Sequence, residues 1–224
     1  MNTPTWFDNP AITVELLPSL GETIAMTAWS TAIAILLGLP LGIWLFVTTR
    51  DSLAPNVVVH QVLGAIVNIG RSIPFIILII ALIPFTRFVV GTALGWQAAV
   101  VALTISAIPF YARLVEIALH EVASGKVEAA QMMGASRGQI IRQVLVPEAL
   151  PALISGATVT AVALVNYTAM AGAVGGGGLG DLAISYGYNR YQADVMLACV
   201  VLLVAFVGII QLVGDRLARL VDHR

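Results

Sequence analysis

The sequence predicts an all-α membrane protein that crosses the bilayer several times. Of its 224 residues, 59% are hydrophobic and 10% are charged, whereas soluble domains are about 45–50% apolar and about 25% charged. A soluble domain of this size hides only about 70% of the surface that its unfolded chain exposes, so it could not conceal this much apolar area. Five apolar segments also reach the length of about 20 residues that a helix needs to cross a bilayer. Residues 1–224 are therefore expected to form one transmembrane domain in contact with lipid.

The five predicted spans occupy residues 24–47, a stretch within 61–85, and residues 98–119, 151–174 and 195–213. In the first span, Gly38 and Gly42 lie four residues apart, a spacing that lets helices approach closely. We expect this contact to lie within the chain, with a dimer seam as the alternative. The second span contains Arg71, Pro74 and Pro84, so a broken, re-entrant or displaced segment is allowed there.

The basic residues predict the orientation, because positive charge in short loops is retained in the cytoplasm. With five spans, the flanks on one side contain Arg50, Arg113, Lys126, Arg137, Arg142, Arg216, Arg219 and Arg224. The opposite flanks contain Arg87 and Arg190. They include the N-terminal stretch, which is acidic and has no basic residue, unlike a cleaved secretory signal. We expect the N-terminus outside and the C-terminus in the cytoplasm.

Composition and motifs exclude several classes of function. A net charge of -1 lacks the basic excess that is typical of nucleic-acid binding. The glycines at 172–180 are not followed by the lysine of a phosphate-binding loop, since Lys126 is the only lysine in the chain. His60, His120 and His223 have no metal-ligand spacing, and the single Cys199 can form neither an internal disulfide nor a C-x-x-C site. We therefore expect no catalysis, metal ion or cofactor in this chain, and no nucleic-acid partner.

The polar loop at residues 120–150 is the most informative segment for function. It begins with a predicted short helix on which Val127, Ala130 and Met133 share one face. Glu128 is expected in the first turn, where the helix dipole favours a carboxylate. Gly134 is expected to end this helix, because glycine adopts the left-handed conformation without a side-chain clash.

A second helix is predicted directly after that turn. Ser136 and Gln139 form a capping-box pattern, and an apolar face follows as far as Pro147. The loop therefore has a helix, turn, helix pattern. The residue pattern by itself allows two interpretations, a contact with a partner protein or an amphipathic helix that lies on the membrane surface.

Residues 128–134 resemble the EAA loop of bacterial ABC importer permeases, which is written E-A-A, three residues, then G, with a later L-P that Pro147 and Pro151 match. In that family the short helix is the coupling helix, which docks into a groove of the cytoplasmic ATP-binding subunit. The resemblance implies that the contact with the ATPase is made by Glu128, Ala129, Ala130, Met133, Gly134 and Ala135.

Longer stretches are similar to the permeases of methionine importers, namely residues 68–92, 146–151, 167–188 and 214–221. The resemblance implies the type I ABC importer permease fold in a bacterial inner membrane. It also implies a homodimer that binds two copies of an ATP-binding subunit and an extracytoplasmic methionine-binding lipoprotein. The implied function is methionine import driven by ATP hydrolysis on the partner, with L-methionine and also D-methionine as substrates. Another amino acid or a small compatible solute is the alternative substrate.

The resemblance also places the fourth span along the translocation path, with Asn166, Tyr167 and Met170 as candidate path residues. We expect Met170 to form an apolar constriction, because a flexible thioether can seal a pathway and move aside; core packing is the alternative. Arg71 would cost about 2.5–3.5 kcal/mol at the centre of a lone spanning helix. It is therefore expected to face protein, water or the interface, in a structural role or in gating. The glycines at 172–180 are either a flexible connector or part of an outer gate or binding-protein contact.

Two functions from other classes remain open at this point. An ion-coupled secondary transporter commonly uses carboxylates within the membrane and inverted repeats. Here the last two spans contain no acidic residue, and five spans do not divide into equal halves. The other alternative is a structural or assembly subunit without a pathway of its own.

Overall fold

The computed structural model describes residues 6–50 and 52–222, and all the secondary structure in that part of the chain is helical. The all-α prediction is therefore confirmed, while His223 and Arg224 lie outside the described residues. The helices are α1 (Leu16–Val47), α2 (Val57–Ser72), α3 (Phe75–Ala81), α4 (Ile83–Val90), α5 (Trp96–His120), α6 (Ser124–Met132), α7 (Arg137–Ile140), α8 (Val146–Gly172), α9 (Gly178–Leu182) and α10 (Ala193–Leu220). Short 3-10 and π-helical turns extend some of them.

Four helical stretches in the described part of the chain are long and apolar enough to cross a membrane. They are Ala11–Val47, Trp96–His120, Arg137–Gly172 and Ala193–Leu220. Three of them contain a predicted span whole, and Arg137–Gly172 contains the fourth predicted span except for its last two residues. Each stretch is longer than predicted because helix continues beyond the apolar residues. The first stretch begins at Ala11, more than three helical turns before residue 24, and its first turn, Ala11–Glu15, is π-helical.

The second predicted span is a sharply bent pair of helices. Helices α2 and α3 together satisfy the length and hydropathy that a span requires, but they bend by 100° at the break. The break falls at Ile73 and Pro74, both with extended backbone torsions. A residue that precedes proline is pushed out of the helical region, which explains why α2 stops there. Counting this pair as one span gives five.

The core of the bundle is the contact between α1 and α5. A Cβ atom at Gly38 would lie 3.0 Å from the Ile108 carbonyl oxygen, and one at Gly42 would lie 2.5 Å from the Ala112 carbonyl oxygen. Only glycine lets the two backbones come this close. The predicted packing within the chain is therefore confirmed, and these glycines do not face a lipid or a second copy.

The second helix of the 120–150 loop does not end at Pro147, so that prediction was wrong. Helix α7, a π-helical turn at Ile141–Leu145 and α8 form one continuous helical stretch. Pro147 lies in the first turn of α8, where its missing N–H costs little. The second helix of the loop therefore continues into the fourth span without a break.

The bundle has two ends that differ in character. At the loop end, α6 and the start of α8 pack against the last residues of α1 and α5 around Leu119 and Leu145. At the opposite end, which we call the glycine end, α9 packs against the start of α1 around Leu179 and Val195. The two candidate sites derived from the sequence lie at these two ends.

Candidate functional site

Helix α6 is fastened to the loop end of the bundle by its apolar face. Ala130 is 5% exposed and belongs to the same buried cluster as Leu119, Ile140 and Leu145, and Val127 packs against that cluster. Its direct contacts are with α7 and with the π-helical turn that leads into α8, so α6 is tied most closely to the fourth span.

The turn after α6 has the geometry that the glycine position predicted. The Gly134 N–H donates to the Gln131 carbonyl at 2.9 Å, and the Ala135 N–H donates to the Ala130 carbonyl at 3.1 Å. This pair of bonds is the Schellman arrangement, which needs a left-handed residue. Gly134 has φ of +82°, and a Cβ atom there would meet nothing within 4 Å. The position therefore requires glycine for its backbone conformation and leaves the space around it open.

The exposed tip of α6 is formed by Glu128, Ala129, Met132, Met133 and Gly134. Met132 is 90% exposed and Met133 is 81% exposed, although methionine side chains are usually buried. Two adjoining exposed methionines beside small residues form an adaptable apolar surface of the kind that other proteins bind.

Two details of the predicted coupling helix were wrong. Met133 does not share the buried face with Val127 and Ala130, because α6 ends at Met132 and Met133 is its C-terminal cap. Glu128 does not lie in the first turn, because α6 begins at Ser124, a full turn earlier. Both errors have one cause: the helix begins and ends slightly earlier than its apolar pattern indicated.

The capping box at the start of α7 is confirmed. The Ser136 Oγ accepts from the Gln139 N–H at 3.4 Å, and the Gln139 Oε1 accepts from the Ser136 N–H at 2.8 Å. These bonds fix the turn between α6 and α7, so the exposed tip is held at a defined angle to the fourth span.

An ion pair also joins α6 to α8. The Lys126 Nζ lies 2.5 Å from Glu148 Oε2, with side chains that are 53% and 34% exposed. Water screens a pair this exposed, so it contributes about 1 kcal/mol or less. It orients α6 relative to α8 and adds little to stability.

We expect Lys126→Ala to lower the melting temperature of the purified permease by no more than about 2–4 °C. The buried Cys199 allows unfolding to be followed with a thiol-reactive dye. The charge-exchanged variant, Lys126→Glu with Glu148→Lys, restores the pair and recovers the original value. A much larger loss in Lys126→Ala would mean that Lys126 has a structural role beyond this pair.

The candidate path residues lie on α8 and face different surroundings. The Tyr167 ring stacks on Phe75 of α3, with ring centroids 4.8 Å apart and an interplanar angle of 6°. Asn166 is exposed and Met170 is 38% exposed. The partial exposure of Met170 argues against core packing as its main role in the isolated chain.

Arg71 lies on a different element from these three residues. It is exposed on the last turn of α2, with its guanidinium carbon 6.0 Å from the centroid of the Phe110 ring. This position satisfies the expectation that Arg71 faces protein, water or the interface.

The glycines at 172–180 form a packed crossing, so the flexible-connector interpretation does not hold. A Cβ atom at Gly172 would collide with the backbone of Gly180 and Asp181, and one at Gly180 would lie 2.5 Å from Ala169 Cα. The Gly95 N–H donates to the Gly175 carbonyl at 2.9 Å, which also ties this crossing to the start of α5. Helices α8 and α9 thus meet backbone to backbone.

Two residues that the sequence did not single out hold the start of α9. Glu22 Oε2 accepts from the Gly178 N–H at 2.7 Å, and Thr23 Oγ1 accepts from the Leu179 N–H at 2.9 Å. These bonds satisfy N–H groups that a helix leaves free at its start. The sequence offered one signal for this contact, a carboxylate (Glu22) near the beginning of an apolar helix. Its partner, Gly178, could not be identified from sequence because it lies 156 residues away.

We expect Glu22→Ala to destabilise the protein by about 1–3 kcal/mol, because the Gly178 N–H loses its acceptor in a partly buried site. Glu22→Gln keeps an acceptor oxygen and is the matched control, with most of the stability retained. Thermal unfolding, followed by the reaction of Cys199 with a thiol-reactive dye, measures the stability of both variants. Equal losses in the two variants would show that the charge of Glu22, and not this hydrogen bond, is what matters.

Comparisons of sequence place the chain among transport proteins. Residues 34–224 match the profile of the family described as binding-protein-dependent transport system inner membrane component. The probable D-methionine transport system permease protein MetI of Vibrio cholerae is 54% identical over 209 residues, which are 93% of this chain and 93% of that protein. The methionine import system permease protein MetP of Bacillus subtilis is 55% identical over 180 residues, which are 80% of this chain and 81% of that protein.

Comparisons of structure agree with those of sequence. A chain of the inward-facing MetNI methionine ABC transporter superposes with a TM-score of 0.91 at 50% identity, over 92% of this chain and 96% of that chain. An amino acid ABC transporter with histidines superposes with a TM-score of 0.68 at 18% identity, a similarity of fold alone. The resemblance noted at residues 128–134 and 167–188 is confirmed. This chain belongs to the family of binding-protein-dependent transport system inner membrane components.

Proposed function

We propose that this chain is the membrane-spanning permease subunit of a bacterial ABC importer that carries methionine into the cytoplasm. ATP hydrolysis takes place on a separate ATP-binding subunit. The substrate is supported by relatives more than 50% identical that are named as methionine permeases. The architecture is supported by the superposition on a chain of a methionine ABC transporter.

The observation that carries this function is the construction of α6. Its buried face packs into the apolar cluster of the loop end through Ala130 and Val127, while its tip presents Met132 and Met133 to a partner. A helix that is fixed on one side and exposed on the other can pass force from a partner to the bundle. We infer that residues 120–150 are the coupling loop and that the ATP-binding subunit contacts Glu128, Ala129, Met133 and Gly134, next to Ala135, while the buried Ala130 holds the helix on the bundle.

The proposed orientation places the loop end in the cytoplasm and the glycine end outside. Arg50, Arg113 and Lys126 belong to elements of the loop end, whereas Arg190 lines a cavity beside the glycines. This separation of charge is the one that the positive-inside rule requires. The binding lipoprotein delivers substrate at the glycine end.

The complete transporter contains two copies of this chain and two ATP-binding subunits in the type I importer arrangement. A large apolar surface supports this assembly, because only 11% of the most apolar stretch of α10 is buried within the chain. Lipid and the second copy cover such faces. ATP closes the pair of ATP-binding subunits, both coupling helices move with them, and the spans rearrange so that the pathway opens outward. Hydrolysis returns the pathway to the inward-facing state.

The pathway runs beside the part of α8 that carries Asn166, Tyr167 and Met170. The stack of Tyr167 on Phe75 links α8 to the bent second span, so the two elements move together. Met170 provides an apolar constriction, and Arg71 lies at the hinge between α2 and α3, where it biases the bend.

We expect Met170→Arg to abolish methionine uptake while the complex still assembles. A charged side chain in an apolar constriction narrows the pathway and is costly to remove from water. Met170→Leu keeps an apolar side chain of similar volume and retains uptake. Uptake of labelled methionine by membrane vesicles that contain ATP measures both variants. Unchanged uptake in Met170→Arg would indicate a subunit without a pathway of its own.

The energy source separates this function from an ion-coupled transporter. Uptake should persist when a protonophore collapses the proton gradient and ATP is maintained. It should stop when the catalytic site of the ATP-binding subunit is inactivated. The reverse pattern would assign the chain to the secondary transporters.

A further inference from the structure

A cavity of about 500 Å³ lies at the loop end. It is enclosed by the last turn of α1, by Thr49, Arg50, Ser52 and Leu53, by the end of α5 and by α6. We call it the loop-end socket. It adjoins the proposed ATPase contact, because Glu128 and Gln131 of α6 form part of its wall. The exposed tip of α6 and the socket are therefore neighbouring parts of one surface.

The floor of the socket is apolar and rigid. Leu53, Leu119 and Leu145 line it, and they are 9%, 1% and 1% exposed within the buried cluster of the loop end. The floor can accept the aliphatic stem of an inserted side chain without rearrangement of the core.

The wall of the socket carries polar groups that make no bond to other described residues. The exposed side chains of Arg50, Glu128 and Gln131 make no hydrogen bond or ion pair within the described chain. Ser52 Oγ is buried and also has no hydrogen-bond partner within the described chain. Buried polar atoms are normally hydrogen-bonded, so Ser52 Oγ marks a place for a donor or acceptor of another molecule, and the unpaired Arg50 lies in the same wall.

We propose that the loop-end socket receives an acidic side chain of the ATP-binding subunit, which pairs with Arg50 while its stem packs on Leu53 and Leu119. This inference rests on the proposed function, since it needs the same partner seated on α6. Arg50 supplies the positive charge of this wall, and its guanidinium is free to bind a carboxylate in a bidentate geometry. Glu128 lies on the opposite wall, on α6, where it meets a donor of the same partner.

The consequence is a second mechanical connection. A partner that holds only α6 moves the fourth span, because α6 contacts the turn that leads into α8. A partner that also holds Arg50 moves α1 directly, and α1 is locked against α5 at Gly38 and Gly42. The two connections together would turn the first and fourth spans as one body.

The first test measures protection of single cysteines against a maleimide in the full chain. Cys199→Ser provides a cysteine-free background, in which Thr49→Cys reports on the socket and Met133→Cys on the tip of α6. Arg219→Cys reports on an exposed residue of α10 that does not line the socket. Each permease is labelled alone and in the purified complex with its ATP-binding subunit. We expect the complex to abolish labelling of the first two and to leave Arg219→Cys unchanged.

The outcomes separate the two proposals. Protection of Met133→Cys without protection of Thr49→Cys would overturn the socket and leave the coupling-loop function intact. Protection of neither would overturn both. Protection of Thr49→Cys by free methionine, in the absence of the ATP-binding subunit, would identify a small-molecule site and would also overturn the socket.

The second test addresses the charge. We expect Arg50→Glu to weaken association with the ATP-binding subunit about tenfold or more, because it places like charges together at the interface. Arg50→Lys keeps the positive charge and should stay much closer to the original affinity. Equal affinities for Arg50→Glu and the unmodified chain would overturn the acidic contact.

Discussion

Replacing Gly134 with tryptophan should abolish ATP-driven methionine uptake while the permease remains folded in the membrane. The reason is twofold. A residue with a Cβ atom in the left-handed conformation costs about 1–2 kcal/mol, which loosens the turn after α6. The indole would also project from the exposed tip, because nothing lies within 4 Å of a Cβ atom at this position. It would therefore prevent the ATP-binding subunit from seating on α6.

Gly134→Asn is the matched control, since asparagine tolerates the left-handed conformation and adds little bulk. We expect it to retain most of the uptake. Gly138→Trp is a second control, because it adds the same side chain in open space on α7, with no left-handed backbone. Full uptake in Gly134→Trp, measured in vesicles with the partner subunit present, would mean that the tip of α6 is not the site of coupling.

The second large effect is expected at the crossing of α8 and α9. Gly172→Leu should prevent stable folding, because its side chain would have to occupy the position of the Gly180 and Asp181 backbone. Backbone cannot move aside as a flexible side chain can, so the cost should reach or exceed the upper end of the roughly 1–3 kcal/mol that is typical of overpacking. The amount of permease in the membrane and its melting temperature measure this loss.

Gly208→Leu is the matched control for that variant. Gly208 also lies in a spanning helix, but a Cβ atom there would meet nothing within 4 Å. We expect normal amounts of this variant and an unchanged melting temperature. Comparable expression of Gly172→Leu and Gly208→Leu would show that the crossing can open, contrary to the packing in the structure.

Much of the fold was predictable because lipid imposes strong rules on sequence. Spanning helices must satisfy their own backbone and remain apolar for about 20 residues, so four of the five spans could be located from composition alone. The second span could not, because Pro74 allowed several geometries, and the 100° bend depends on how α3 packs against its neighbours. Continuity of α7 into α8 was missed because a π-helical turn at Ile141–Leu145 admits Pro147, and such turns have no reliable sequence pattern.

The structure of the loop at residues 120–150 was predictable to a similar degree, because its signals are local. The left-handed turn at Gly134 and the capping box at Ser136 each depend on residues a few positions apart. The cap on α9 was not predictable, because Glu22 and Gly178 come together only when the whole bundle forms. The loop-end socket was missed for the same reason, since Arg50 and Leu53 come to line one cavity with α6 only in the folded chain.

The most direct measurement is the amount of methionine transported and the amount of ATP hydrolysed in the same proteoliposomes. These should contain this chain, its ATP-binding subunit and the binding protein, with ATP on the cytoplasmic side. We predict that uptake requires all three components and stops when ATP hydrolysis is blocked. We also predict that uptake is lost in Gly134→Trp. Methionine uptake without the ATP-binding subunit would contradict a coupled ABC permease. Hydrolysis that accompanies uptake of a different solute, with no methionine transported, would contradict the substrate.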